Sequence, residues 1–196
     1  GTVPETLNIL KPEWIVDIHK SYIEAGADIV YANTFGANRY KMENTGYSVK
    51  ELISAAIKNA KEAAKGTDTL VALDLGPIGQ LLEPTGSLTF EEAYDIFKEE
   101  VVAAEGADVI VIETMTDLLE TKAAVLAAKE NSNLPVMTTM TFEENKRTFT
   151  GCSVSAMCLT LQGLGVDALG VNCSLGPKDL LPIVEEISKW TYLPIV

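Results

Sequence analysis

Three stretches of this chain share one frame, and each ends on a side chain able to do chemistry. Gly26-Ala27-Asp28 leads to Asn33-Thr34, Gly106-Ala107-Asp108 to Glu113-Thr114, and Gly165-Val166-Asp167 to Asn172-Cys173. In each, the polar residue falls five positions after the aspartate. A carboxylate can bind an ammonium or carry a proton, an amide can orient its neighbours, and a thiolate can attack carbon or ligate a metal. Asp74 in ALDLGP and Thr141 in MTTMTF close two further apolar runs in the same way. Each residue also has a plain structural reading. Asn33 and Asn172 suit turn amides, and Asp74 suits a brace for Leu75-Gly76-Pro77. Glu113 is harder to assign to structure alone, because a carboxylate ending the run DVIVIE is unfavourable there without a partner.

The remaining reactive residues narrow the chemistry. Cys173 stands with the polar set, whereas Cys152 follows Gly151 in a polar loop and Cys158 lies among Ala156, Met157 and Leu159 on a predicted helix. Both of the latter read as packing residues. His19, the single histidine, lies in the first predicted helix, ahead of any strand. That placement argues against Cys-His and Ser-His-Asp catalysis and favours a solvated or packing role for His19. Zinc needs three or four ligands, and the strand ends offer one well-placed thiolate. For an aldolase or lyase using a Schiff base, the nearest lysine is Lys146, in a loop after Phe142 rather than at a strand end.

These residues need elements to position them, and the chain alternates helical and extended stretches throughout. Helical patterns cover 12–25, with Ile15, Ile18, Tyr22 and Ile23 on one side, then 48–66, 90–106, 117–132, 155–165 and 177–190. Between and after them lie six apolar runs, at 27–35, 69–77, 107–114, 134–142, 166–173 and 191–196. Strands apolar on both faces and joined by helical crossovers form a parallel sheet covered by helices. Periodicity leaves a doubly wound sheet and a (β/α)8 barrel both open. The lack of GxGxxG after the first strand, and of a Walker loop, favours the α/β barrel. In either fold ligands bind at the carboxyl edge of the strands, so Asn33, Thr34, Asp74, Glu113, Thr141, Asn172 and Cys173 should ring one mouth.

Composition bounds the partners. The 28 acidic against 15 basic residues give a net charge of −13, which repels a phosphate backbone or an anionic membrane and points to a small-molecule ligand. No apolar run approaches the roughly 20 residues of a membrane span, and GTVPETLNIL lacks the regions of a signal peptide. With three cysteines and no CxxC pair, a cytoplasmic location is expected.

The segments GADIVYANTFGAN (26–38), LDLGP (73–77), GADVIVIETMTDLLE (106–120), TFTG (148–151) and GVNCSLGP (170–177) together resemble the homocysteine S-methyltransferase family. They run over nearly the whole chain in the family's order, with greatest likeness to the homocysteine-binding domain of bacterial cobalamin-dependent methionine synthases. The resemblance implies a (β/α)8 barrel holding zinc through three cysteine thiolates and homocysteine at the C-terminal mouth. Cys173, in Gly170-Val171-Asn172-Cys173, matches one of those ligands. The family's GGCC motif, which supplies the other two, and its DGAMGT-like first strand are not found in this sequence. The expectation is therefore a single homocysteine-binding domain over residues 1–196, incomplete at both ends and covering strands two to seven.

The same resemblance implies that Glu113 holds the homocysteine amino group, that Asn33, Thr34 and Phe35 line the pocket, and that Asn172 contacts substrate or fixes its loop. It gives Asp74 and Gly76 a place on the pocket rim and no chemical role. The implied reaction is transfer of a methyl group to a zinc-bound homocysteine thiolate, giving methionine, with cobalamin as methyl carrier on another domain. A free thiol of pKa about 8.5 is only a few per cent ionised at neutral pH, which is why coordination would matter. The competing reading is a catalytically silent fragment or shortened homologue that folds or associates without zinc. Its two open sheet edges would then be capped by a second copy, as a homo-oligomer.

Overall fold

The computed structural model describes residues 3–196 and shows how the frame repeats. After a 3-10 turn at Pro4–Thr6 come α1 (Leu7–Leu10), α2 (Pro12–Glu24), β1 (Ile29–Tyr31), α3 (Arg39–Met42), α4 (Val49–Ala64), β2 (Leu70–Leu75) and α5 (Phe90–Ala103). Then follow β3 (Val109–Met115), α6 (Leu118–Asn131), β4 (Val136–Met140), α7 (Val154–Gly163), β5 (Ala168–Val171) and α8 (Pro177–Ile187). Local chemistry starts each long helix. Ser48 with Glu51 and Thr89 with Glu92 form capping boxes on α4 and α5, and Asp117 and Ser153 cap α6 and α7. The glycine of each frame ends its helix with positive φ, 97° at Gly26, 94° at Gly106 and 79° at Gly165.

All five strands are parallel and lie in the order β1-β2-β3-β4-β5. Sequential order, with the helices gathered on one face, is the wall of a β/α barrel; a doubly wound sheet reverses its order and carries helices on both faces. Val71, Leu73, Leu75, Ile110, Ile112, Met140 and Leu169 pack with Ile53, Phe97, Ala124 and Met157 of the helices in the main core. Alternate residues point the other way. There Ala72, Val109 and Val111, with Ile29 and Met137, form a small apolar layer. One step toward the carboxyl edge, that inner face carries Tyr31, Asp74, Glu113 and Thr139, and beyond them Asn33, Thr141 and Asn172.

The expected six strands become five strands and a bridge. Leu169 N–H donates to Pro194 O, Val196 N–H to Leu169 O and Val171 N–H to Val196 O, all at 3.1 Å, so residues 194–196 pair with β5 while 191–193 do not. Extending that ladder backward would require the Pro194 nitrogen to donate to Asp167 O, and proline has no N–H. The frame aspartates brace the opposite edge of the sheet. Asp108 Oδ2 accepts from Val71 N at 2.8 Å and pairs with Lys61, while Asp167 Oδ2 accepts from Val136 N at 2.8 Å and meets Lys129 Nζ at 3.4 Å. Among the described residues no helix is long and apolar enough to cross a membrane.

Candidate functional site

The mouth is organised around Asn172, the residue immediately after β5. Its Oδ1 accepts from Thr114 N and Thr139 Oγ1, both at 3.0 Å, and its Nδ2 donates to Glu113 Oε2 and Thr114 Oγ1, both at 2.9 Å. Every hydrogen-bonding position of the amide is thereby used, which fixes which side carries oxygen. The main chain joins in: Asn172 N donates to Met140 O at 3.3 Å, and Asn172 O accepts from Thr141 Oγ1 at 3.2 Å. One side chain thus ties the ends of β3, β4 and β5. Thr114 is reachable because β3 bulges between Ile112 and Met115, putting Thr114 at φ 61°.

Glu113 is half-buried, and burial pushes its carboxyl above the ordinary range. On the same sheet face, one strand across, Asp74 hydrogen-bonds to it. Asp74 is 6% exposed, and its carboxyl is pushed up to about 8, first by burial, then by the charge of Glu113 and the hydrogen bond with it, then by Glu5. A buried carboxyl beside a second acid ionises reluctantly, so at neutral pH Asp74 keeps its proton. Neighbouring Tyr31 also has a raised pKa, through burial and the two acids.

The turn after β1 is held by its own polar groups. Asn33 Nδ2 donates to Pro4 O at 2.9 Å and its carbonyl accepts from Asn8 Nδ2 at 2.8 Å, tying the mouth to the N-terminal turn. Thr34 is fully buried; its hydroxyl donates to Asp74 O at 2.7 Å and accepts from Asp74 N at 3.1 Å, clamping β1 to β2. Phe35 keeps an exposed ring at the rim, with Lys41 Nζ 5.3 Å from its centroid. Gly76 passes so close beneath it that an added Cβ would lie 2.6 Å from the ring, which explains glycine at that position. Of the three NTF residues, only Phe35 presents an unengaged side chain; Asn33 and Thr34 shape the turn.

Cys173 is exposed at the end of β5, at φ 63°, and Ser174 follows at φ 58°. Two successive non-glycine residues in the left-handed region cost roughly 1–3 kcal/mol each, strain that concentrates at functional sites. Cys158 is fully buried on α7 and Cys152 is half-buried in its loop. Among the described residues no three His, Cys, Asp or Glu side chains are grouped to hold a metal ion. The described residues therefore do not make a zinc site on their own, and Cys173 is the one thiol at the mouth. His19 is a packing residue, 6% exposed, and it lines a cavity of about 370 Å³ together with Tyr31, Asn33, Phe35 and Asp74. Sequence spacing alone missed that nearness to the mouth; it also missed Thr139, whose signal was alternation along β4, and Thr114, which the β3 bulge brings to Asn172.

A one-sided β/α barrel wall with a polar carboxyl-edge mouth defines a class of α/β barrel protein, and the family can now be stated. The chain belongs to the homocysteine S-methyltransferase family, whose model matches residues 3–196. It is 31% identical to methionine synthase of Mycobacterium leprae over 208 residues and 31% identical to that of Mycobacterium tuberculosis. Each alignment covers 97% of this chain and 17% of the relative, so the chain spans about a sixth of those proteins' length. In fold it is similar to the metallated form of the homocysteine methyltransferase MmuM from Escherichia coli, with TM-score 0.88, 22% identity, and coverage of 97% of this chain and 73% of that one. The apo form of the same enzyme gives TM-score 0.80 at 21% identity.

Proposed function

We propose that residues 1–196 form a homocysteine-binding domain and that its mouth serves methyl transfer to the homocysteine sulfur, giving methionine. The observation that carries this reading is the Asn172 amide, which holds Glu113 Oε2 at 2.9 Å immediately beside Cys173. Glu113 meets the substrate ammonium, a charge-assisted contact that an oriented carboxylate makes well. Phe35 packs on the substrate's methylene chain, with Asn33 and Thr34 keeping its turn in place, and Asn172 positions Glu113 rather than contacting substrate. Cys173 lies where the sulfur end would lie. In the transfer, a sulfur lone pair forms the new S–CH3 bond while the old bond to the methyl group breaks, its electrons leaving with the donor.

Zinc enters this reading only as far as Cys173, one thiolate of a set whose other members lie outside the described residues. When bound, the metal would hold the substrate sulfur as thiolate. The methyl donor, or a carrier domain bearing cobalamin as the likeness to methionine synthases suggests, lies outside this chain.

The test is Cys173→Ala in the complete polypeptide that carries this sequence. Homocysteine-dependent methyl transfer falls to background with the fold intact; unchanged turnover overturns the proposal. One observation favours a second reading, a silent barrel fragment: the solitary thiolate. Metal analysis of the complete polypeptide separates the two: stoichiometric zinc that is lost in Cys173→Ala supports the enzyme reading, and zinc that Cys173→Ala leaves unchanged supports the silent fragment.

A further inference from the structure

Asp74 has no role in the reading above, yet its placement is unusual. It lies on the inner face of β2, 6% exposed, hydrogen-bonded to Glu113, with Oδ1 left without any partner. A buried oxygen without a donor costs about 1–3 kcal/mol, so a fold retains one only where something else compensates. A second orphan lies nearby: His19 Nε2, on a side chain also 6% exposed, has no partner and lines the same cavity as Asp74. Two unsatisfied buried polar atoms around one cavity, beside the carboxylate that Asn172 aims, describe a place prepared for a ligand with several N–H groups.

We propose that Asp74 and Glu113 act together as the ammonium corner of the amino-acid site, a carboxyl–carboxylate pair that releases its shared proton when a cationic amino group enters. The proposal rests on the homocysteine reading and adds to it a partner for Glu113 and a proton linkage. An ammonium has three N–H donors, and the pair supplies acceptors for it: Asp74 Oδ1, unpartnered, and the Glu113 oxygen that Asn172 leaves free. Charge balances. The empty pair carries one proton and one negative charge; the occupied pair carries two negative charges against one positive, and the proton goes to solvent.

Every group facing Asp74 disfavours its ionisation or leaves it unchanged. Glu113 on β3 and Glu5 at the N-terminal turn are anions, Glu100 on α5 is a further buried acid within electrostatic reach, and Tyr31 on β1 is neutral. Burial depresses His19 on α2 toward its neutral form, so it brings no positive charge. An entering ammonium is therefore the cation that the corner lacks. The linkage has a definite sign: below the titration of the pair, ligand binding must expel a proton, so affinity rises with pH by up to about ten-fold per unit and levels off near pH 8.

The experiment titrates L-methionine into the complete polypeptide that carries this sequence and its Asp74→Asn variant between pH 6 and 9, in two buffers of different ionisation enthalpy. The wild type is expected to bind more tightly as pH rises, releasing close to one proton at neutral pH, while Asp74→Asn binds with a flat profile and no proton release. Methylthiobutanoate, which lacks the amino group, should lose the rising profile. A wild-type profile as flat as that of the variant overturns the inference and leaves the homocysteine reading standing, whereas no methionine binding at any pH removes both. Carbon-13 carboxyl spectra of the free wild type give an independent measurement should Asp74→Asn misfold. The signal assigned to the Asp74 carboxyl is expected to titrate near pH 8, apart from those of the buried Glu120 and Glu100, and an Asp74 signal titrating below pH 6 overturns the pair.

Discussion

The two ends of the same strands treat carboxylates in opposite ways. At the amino edge, Asp108 and Asp167 each accept a main-chain N–H from the neighbouring strand and each meet a lysine, Lys61 or Lys129. At the carboxyl edge, Asp74 and Glu113 meet one another, with an amide for the second and no cation for either. The first arrangement satisfies charge as it forms and therefore contributes to stability. The second leaves charge unsatisfied, an arrangement that suits binding more than folding. Barrel folds commonly separate stability and chemistry in this way; here the separation rests on identifiable donors.

The comparison can be broken from either end. The largest effect is expected from Asn172→Ala, which removes four side-chain hydrogen bonds across three strand ends. It should lower kcat/KM for homocysteine by about 100-fold or more and destabilise the fold by about 2 kcal/mol, read from denaturant melts and kinetics of the complete polypeptide. Next comes Glu113→Gln, which keeps the shape and loses the charge. KM for homocysteine should rise by about ten-fold or more while metal content stays unchanged, so a KM effect with lost metal would place Glu113 in the wrong role.

The third prediction concerns pH. The Asp74 carboxyl is raised to about 8 in the folded chain and is ordinary when unfolded, so between about pH 4 and pH 8 the folded state holds a proton that the unfolded state has lost. Stability therefore falls as pH rises through that window. Asp74→Asn should flatten the slope and be the more stable protein at pH 8 by at least about 1 kcal/mol. Glu120, buried on α6 and raised to about 7 mainly by burial, adds a slope of the same sign in both proteins. The smallest effect belongs to the other end. Asp108→Asn should cost about 1 kcal/mol of stability, because its lysine contact is partly exposed, and should leave methyl transfer unchanged.

Much of this division was legible in the sequence. The Gly-x-Asp start and the polar residue five positions later give three of the five strands two chemically distinct ends, and the alternation along each strand places Asp74, Glu113 and Asn172 on one face. What stayed hidden depends on contacts between distant segments. Asp74 reads as a turn brace until the register pairs it with Val111 and puts Glu113 on the same face one step further along β3. Asn172 reads as a turn amide until β3 bulges at Thr114 and brings a main-chain N–H and a hydroxyl to it. Asn33 reads as pocket-lining and does line the cavity beside Asp74, but its amide is held by Pro4 and Asn8 of the N-terminal turn, a contact that no spacing announces. The last run reads as a strand from Thr191, whereas the missing N–H of Pro194 keeps residues 191–193 out of the ladder.

Methyl transfer to homocysteine at this mouth is the central claim, and Cys173→Ala in the complete polypeptide tests it most directly. Homocysteine-dependent methionine formation should drop to background while the thermal midpoint stays within a few degrees of wild type. Wild-type turnover by that variant would contradict the assignment of the mouth.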